Sequence, residues 1–291
     1  MADVAKKRKS RSLWAEVWRR LVRNKGAMIG MAITILLAHL AIFADVIFDY
    51  DTQVVAQSLK DQFIFPCWEH PFGTDNLGRD IFVRVLYGAR ISLIIGIAAT
   101  AVSTVFGLFF GSISGYMGGK VDTVIMRGCD IIGAIPGLLL GMVIVSSLGI
   151  STTNLIIALG VGYISAMTRT VRAAVLTVRN SEYVESARAI GMPEWKIIMK
   201  YIIPNCMSPI IVAVTLRVGS AIIGASSLSF LGLGVVPPAP EWGAMLSEGR
   251  NFVRGYPYIT VFPGLAIIVS VLALNMFGDG LRDALDPKLR R

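Results

Sequence analysis

The side chains of this 291-residue chain most easily recruited for chemistry are His39 and His70, Cys67, Cys129 and Cys206, and the lysine of Gly118-Gly119-Lys120. Their spacing recruits none of it. The cysteines form no CxxC pair and the two isolated histidines give no zinc or haem spacing, so neither a metal centre nor a disulfide framework is expected. Val121 follows the Gly-Gly-Lys where a phosphate-cradling loop needs Ser or Thr, and no GxxxxGK[ST] occurs, so no nucleotide site of that kind is present. No Ser/His/Asp or paired-carboxylate constellation falls where a substrate would reach it, and His70 in a polar loop reads as incidental. The chain is expected to perform no covalent chemistry and to hold no cofactor.

Composition shows where the residues went instead. AVILMFWYC make up 54% of the chain, with 29 glycines besides, and only 16% is charged, where roughly 25% is usual in soluble domains. A soluble surface needs more charge than this. The 28 Lys+Arg against 19 Asp+Glu leave a net +9, which nucleic acid, an anionic membrane face or a topology signal would each explain.

A bilayer core of about 30 Å takes about 20 helical residues, and uncharged runs of that size recur. Ile91 to Gly119 holds 29 such residues, one crossing with margin. Ile131 to Thr168 holds 38, too many for a single crossing, and Ser151 to Asn154 after Gly149 mark the turn that divides it in two. Val218 to Pro240, extended back past Arg217 to about Pro209, and Gly255 to Gly278 supply two more. Ala27 to Phe48 is the first, less pure for containing His39 and Asp45. The expected fold is an all-α polytopic membrane protein of six transmembrane helices. Its parts are a tail and amphipathic helix over 1–26, a first crossing over 27–48, an outer loop over 49–90, a five-helix core over 91–280 and a tail over 281–291.

The N-terminal stretch is broken by charges throughout, so no cleavable signal peptide is expected. Leu13, Val17 and Leu21 repeat at helical spacing beside Trp14, Trp18 and Val22, with Arg11, Arg19, Arg20 and Arg23 on the other face, which predicts an interfacial helix over 12–25. Met1 to Arg11 reads better as a disordered basic tail. Six crossings put both termini on one side, which would carry 21 Lys+Arg against 6 on the other. By the positive-inside rule both termini are cytoplasmic. Acidic residues divide 10 against 8, so the basic excess is a topology signal and needs no nucleic acid.

The loop over 169–208 is long enough to need elements of its own. It reads as a helix from Glu182 to Ile190, a break at Gly191-Met192-Pro193, and a second helix from Glu194 to Ile203 ended by Pro204. Gly191 suits a C′ position and Pro193 a first turn. Glu185-Ser186-Ala187, three residues, Gly191, nine residues and then Tyr201-Ile202-Ile203-Pro204 resembles the EAA loop of ABC importer permeases, with Ser186, Tyr201 and Ile203 as departures that a helix tolerates. Four further segments narrow the likeness. These are His70-Pro71-Phe72-Gly73-Thr74-Asp75 with Leu77-Gly78-Arg79-Asp80, Tyr87-Gly88-Ala89-Arg90, Glu241-Trp242-Gly243, and Phe277-Gly278-Asp279-Gly280-Leu281-Arg282-Asp283 with Leu285-Asp286-Pro287. Together they resemble the C-type permease subunit of dipeptide and oligopeptide ABC importers, from about Trp18 to the C terminus.

The resemblance implies the type I importer permease fold in a bacterial cytoplasmic membrane. It implies as partners a homologous B-type permease subunit, two cytoplasmic ATPase subunits that bind the ATP and Mg²⁺, an extracytoplasmic substrate-binding protein, membrane lipid and a peptide substrate. It also places Tyr183, Glu185, Ala187, Arg188, Gly191, Met192 and Trp195 at the ATPase contact, where bulk would uncouple transport from hydrolysis. An ordinary helix pair on the inner leaflet is the plainer alternative. The spacing of Ala187 and Gly191, four apart, suggests a small-residue face for close approach.

Other features keep two readings. Gly107, Gly111, Gly115 and Gly119, and then Gly133, Gly137 and Gly141, permit close helix approach either inside the subunit or along a path. Pro136 and Pro263 predict kinks, with a hinge as the alternative. Arg217 either snorkels or faces a wet translocation path. His39 and Asp45 read as a hydrogen-bonded and an interfacial group rather than a proton relay. Ile81 to Leu86 and Glu241 to Phe252 read as helices lying on the outer membrane face. The function expected is ATP-driven peptide import. The alternatives are a same-family importer of a nickel complex or other small solute, and a stand-alone proton-coupled carrier.

Overall fold

A computed structural model describes residues 13–285, and within them the regular elements are helices. The first, α1 (Leu13–Arg23), leads through Asn24 into α2 (Lys25–Ile47), whose N terminus the Asn24 side chain caps by accepting from Ala27 N. Leu21 of α1 is buried with Ala27 and Ala284. The predicted interfacial helix therefore packs Leu21 and Val17 on the protein, while Trp18 and Val22 remain exposed. The tail over 1–11 and the Asp286-Pro287 segment lie outside the described residues.

The outer loop is expected to end in a helix separate from the second crossing, but one helix, α3 (Ile81–Met117), runs through both. Asp80 starts it by accepting from Val83 N, and nothing between Leu86 and Ile91 breaks it. Gly88 passes because it lies against Pro240 and Trp242, where a side chain would not fit. The third crossing is a bent pair: α4 (Gly119–Gly133) and α5 (Gly137–Leu148) meet at 84° across Ala134-Ile135-Pro136. Pro136 produces more than a kink, because its ring and missing N–H stop α4 and reopen the chain as α5. Among the described residues five helices are long and apolar enough to cross a membrane, and the bent pair counted as one makes six.

Ser151 caps the next helix, α6 (Thr152–Val178), at the turn read from the sequence. This helix runs ten residues beyond Thr168, so the loop begins at Arg179 rather than Arg169. Within it lie α7 (Glu182–Ala189) and α8 (Glu194–Ile197), with Pro193 capping α8 instead of occupying its first turn. Pro204 does not end the segment as expected. A wide π turn over Ile198–Ile202 absorbs the bond it cannot donate, and a short α9 (Ile203–Asn205) carries the chain into α10 (Met207–Phe230).

Beyond α10, α11 (Trp242–Gly249) is folded in rather than laid on a surface. Trp242 and Glu241 are buried, and Trp242 Nε1 donates to Val85 O at 2.9 Å. The last helix, α12 (Tyr258–Leu285), is continuous through Pro263 and extends into what the sequence assigns to the tail. Packing between α3 and α6 explains the first glycine series. A side-chain carbon at Gly107 would meet Met167 at 2.5 Å, at Gly111 the Thr168 carbonyl at 2.7 Å, and at Gly115 Val175 at 2.8 Å. These glycines serve contact within the chain. Gly119 and Gly137 face open space.

Candidate coupling site and translocation stripe

The α7–α8 pair has a buried side and a bare one. Val184, Ala187, Ile197 and Ile202 enter a core cluster with Val171 and Val175 of α6 and Tyr116 of α3. Ala187 is thus fixed inside the chain, and its side chain is not on the accessible face proposed from its spacing with Gly191. Nor does Gly191 lie on α7. It holds the C′ position with φ +75°, where Met192 N reaches back to Ala187 O at 3.2 Å and closes the helix end. Its backbone conformation is the requirement here, since a side chain would meet nothing. Tyr183, Glu185 and Arg188 are exposed, Met192 is half-buried, and Ile190 and Trp195 are 77% and 64% exposed. Met199, which the sequence reading did not single out, is also bare. Four large apolar side chains around one helix pair make a surface suited to a partner.

Tyr116, near the end of α3, anchors this pair from behind. Its hydroxyl donates to Glu194 in a short hydrogen bond, and the Arg188 guanidinium stands 5.4 Å from its ring centroid. Tyr116 beside it, then Glu194 and Glu185 by their charge, hold the Arg188 pKa above the ordinary arginine value. On the same side, Arg172 of α6 grips Asp122 of α4 through two 2.6 Å contacts, and Arg169 reaches Asp130 at 2.8 Å. Charges counted from the sequence as loop residues are therefore clamps between helices.

Arg217 does not snorkel freely. Its guanidinium stacks on Tyr163 of α6 at 5.2 Å, and the Tyr163 hydroxyl donates to Ser220 O at 3.1 Å. His39 bonds Ile35 O at 2.8 Å, as expected of a hydrogen-bonded group. Asp45 is a partner rather than a lone interfacial acid: Arg90 forms an ion pair with it and Tyr87 donates to it at 2.7 Å.

At the opposite end from α7 and α8, the outer-loop segments and Glu241-Trp242-Gly243 converge, whereas the segment over 277–283 packs against Leu21 and Ala27. Arg79 bridges Asp75 and Glu248 with 2.6 Å contacts to each, and the buried Arg84 lies 3.4 Å from Glu248. Glu241 caps α11 by accepting from Ala244 N at 2.8 Å. His70 contacts Asp80 at 2.7 Å, so its role is structural. These contacts tie the outer loop and α3 to α11. Among the described residues no group of three or more His, Cys, Asp or Glu side chains is placed to hold a metal.

The described chain is a bundle of helices long and apolar enough to cross a membrane, with a short helix pair that bares large apolar side chains. Residues 107–291 match the family of the binding-protein-dependent transport system inner membrane component, and residues 12–62 match the N-terminal TM domain of oligopeptide transport permease C. The chain belongs to this family of ABC importer permeases, in its C-type peptide branch. It is 45% identical to the glutathione transport system permease protein GsiD of Escherichia coli O6:K15:H31, over 96% of this chain and 92% of that one. It is 43% identical to the dipeptide transport system permease protein DppC of Alkalihalophilus pseudofirmus, over 96% and 91%. Its fold is similar to that in inward-facing MetNI, a methionine ABC transporter, with a TM-score of 0.59 at 18% identity over 71% of this chain and 98% of that one.

Proposed function

We propose that this chain forms half of the path of an ATP-driven peptide importer in a bacterial cytoplasmic membrane, with a B-type permease as the other half. One of two ATPase subunits docks on the α7–α8 surface and the other on the corresponding surface of the B-type permease, and a binding protein delivers a dipeptide or short oligopeptide to the opposite end. Both termini and α7–α8 then face the cytoplasm, in keeping with the 21 to 6 division of basic residues. The relatives named for glutathione and dipeptide transport support a peptide as cargo. The observation that carries the coupling role is the set of exposed apolar side chains Tyr183, Ile190, Trp195 and Met199 on a pair whose other side is held in the core by Val184, Ala187 and Ile197.

ATP-driven approach of the two ATPases would draw the α7–α8 pairs together. Tyr116 and the buried side of the loop would pass that movement to α3 and α6, opening the path outward. Reopening would release the peptide inside. Trp195→Ala tests this in the reconstituted complex: ATP hydrolysed per peptide imported should rise by about tenfold or more, as removal of an interface aromatic costs on the order of 2 kcal/mol. An unchanged ratio would remove Trp195 from the coupling surface.

A further inference from the structure

Arg217 lies ten residues into α10, about 15 Å along it at 1.5 Å per residue. That is close to the middle of a bilayer core of about 30 Å. Ser220, Gly224 and Ser227 follow it at i+3, i+7 and i+10, within an arc of about 80° on one helix face. Ser220 is exposed and Ser227 half-buried, while Arg217 and Gly224 lie against Tyr163 of α6, so the chain's own helices cover one flank of this polar face and leave its hydroxyls open. It leads into a cavity of about 450 Å³ bounded by Leu138, Ser227, Phe230, Leu246 and Ile267. At that outer end the Arg250 guanidinium stands 5.9 Å from the Phe230 ring.

A guanidinium at this depth needs a counter-charge or water. Its own chain gives Arg217 no counter-charge: Nε is buried without a hydrogen-bond partner, and among the described residues Arg217 stands in no salt bridge. Asp45, the carboxylate of α2, is occupied by Arg90 and Tyr87. The stripe thus carries cations at its middle and its mouth, hydroxyls between them, and no acid. Its planar fork suits a carboxylate.

We propose that Arg217, held in place by Tyr163, receives the carboxylate of the passing substrate, the C-terminal carboxylate of a peptide. The proposal rests on the reading of the cargo as a peptide. It makes the permease, and not the binding protein alone, a discriminator for an anionic end.

The test compares the complete importer with Arg217→Gln in proteoliposomes, measuring uptake of one dipeptide as its free acid and as its C-terminal amide. Because the binding protein is common to both permeases, a change in the acid-to-amide ratio reports the permease. The ratio should fall about tenfold in Arg217→Gln, the low end for a lost hydrogen bond to a charged group, while Arg217→Lys keeps it within about threefold. ATPase stimulation by the binding protein reports assembly. If Arg217→Gln fails to assemble, Arg217→Met, which retains an unbranched stem against Tyr163, carries the same comparison. An acid-to-amide ratio unchanged in Arg217→Gln, whether both uptakes fall equally or neither falls, would overturn the proposal. Failure of the wild-type importer to take up either peptide would instead overturn the peptide reading itself.

Discussion

Tyr116 touches both short helices of the loop, its hydroxyl on Glu194 and its ring beside Arg188. Its partner lies 78 positions away in the chain, which is why no local pattern marks it. Gly191 is the converse case, legible from spacing though for a different reason. It permits the positive φ that closes α7 rather than supplying a small surface. Gly191→Ala should therefore weaken retention of the ATPase subunits by about tenfold, since an L side chain in this conformation costs about 1–2 kcal/mol. Gly191→Asn should be milder, because Asn tolerates the same conformation. Copurification of the subunits at graded concentration measures both, and an Ala variant equal to wild type would sink the backbone explanation. Ala187 lies on the buried side of α7, and the sequence of a short helix does not say which of two partners covers its small side.

At the scale of elements, uncharged runs located the crossings, and Ser151 and Asp80 act as caps where polar residues interrupt them. Helix ends were less legible. Residues 169–178 and 81–90 carry charge yet continue their helices, because Arg169 and Arg172 are neutralised by Asp130 and Asp122, and Arg84 and Arg90 by Glu248 and Asp45. Charge marks a boundary only where nothing across the interface answers it. The glycine series now divides. Gly111→Leu forces a side chain against the Thr168 carbonyl and should lower the folded fraction several-fold, as overpacking costs about 1–3 kcal/mol or more. Gly137→Leu enters open space and should leave it unchanged. Fluorescence-detected size exclusion of membranes solubilised in mild detergent distinguishes the two, and equal loss would contradict the α3–α6 packing.

For the whole molecule, orientation can be read with native residues. Cys67 is exposed in the outer loop while Cys129 and Cys206 are buried. A membrane-impermeant maleimide applied from outside should label the wild-type chain at one site, and Cys67→Ser should abolish the signal. Labelling only after the membrane is opened would reverse the proposed topology. The sequence could not reveal that the outer loop is built around Arg79, Asp75 and Glu248, since Glu248 belongs to α11, far along the chain. It did mark Asp75, Arg79 and the turn into α11, where Gly88 lies against Trp242.

The length of α3 has a mechanical meaning. Its 37 residues make a rod of roughly 55 Å, with Arg84 bolted to the outer charge cluster and Tyr116 to the loop at the other end. A tilt of about 5° about one end of such a lever swings the other by roughly 5 Å, about the length of one helical turn. Small work at either grip thus becomes a large stroke at the other. By reciprocity of linked equilibria, if a partner bound at the outer grip changes the affinity of the inner one for its own partner, the inner partner must change the outer affinity by the same factor.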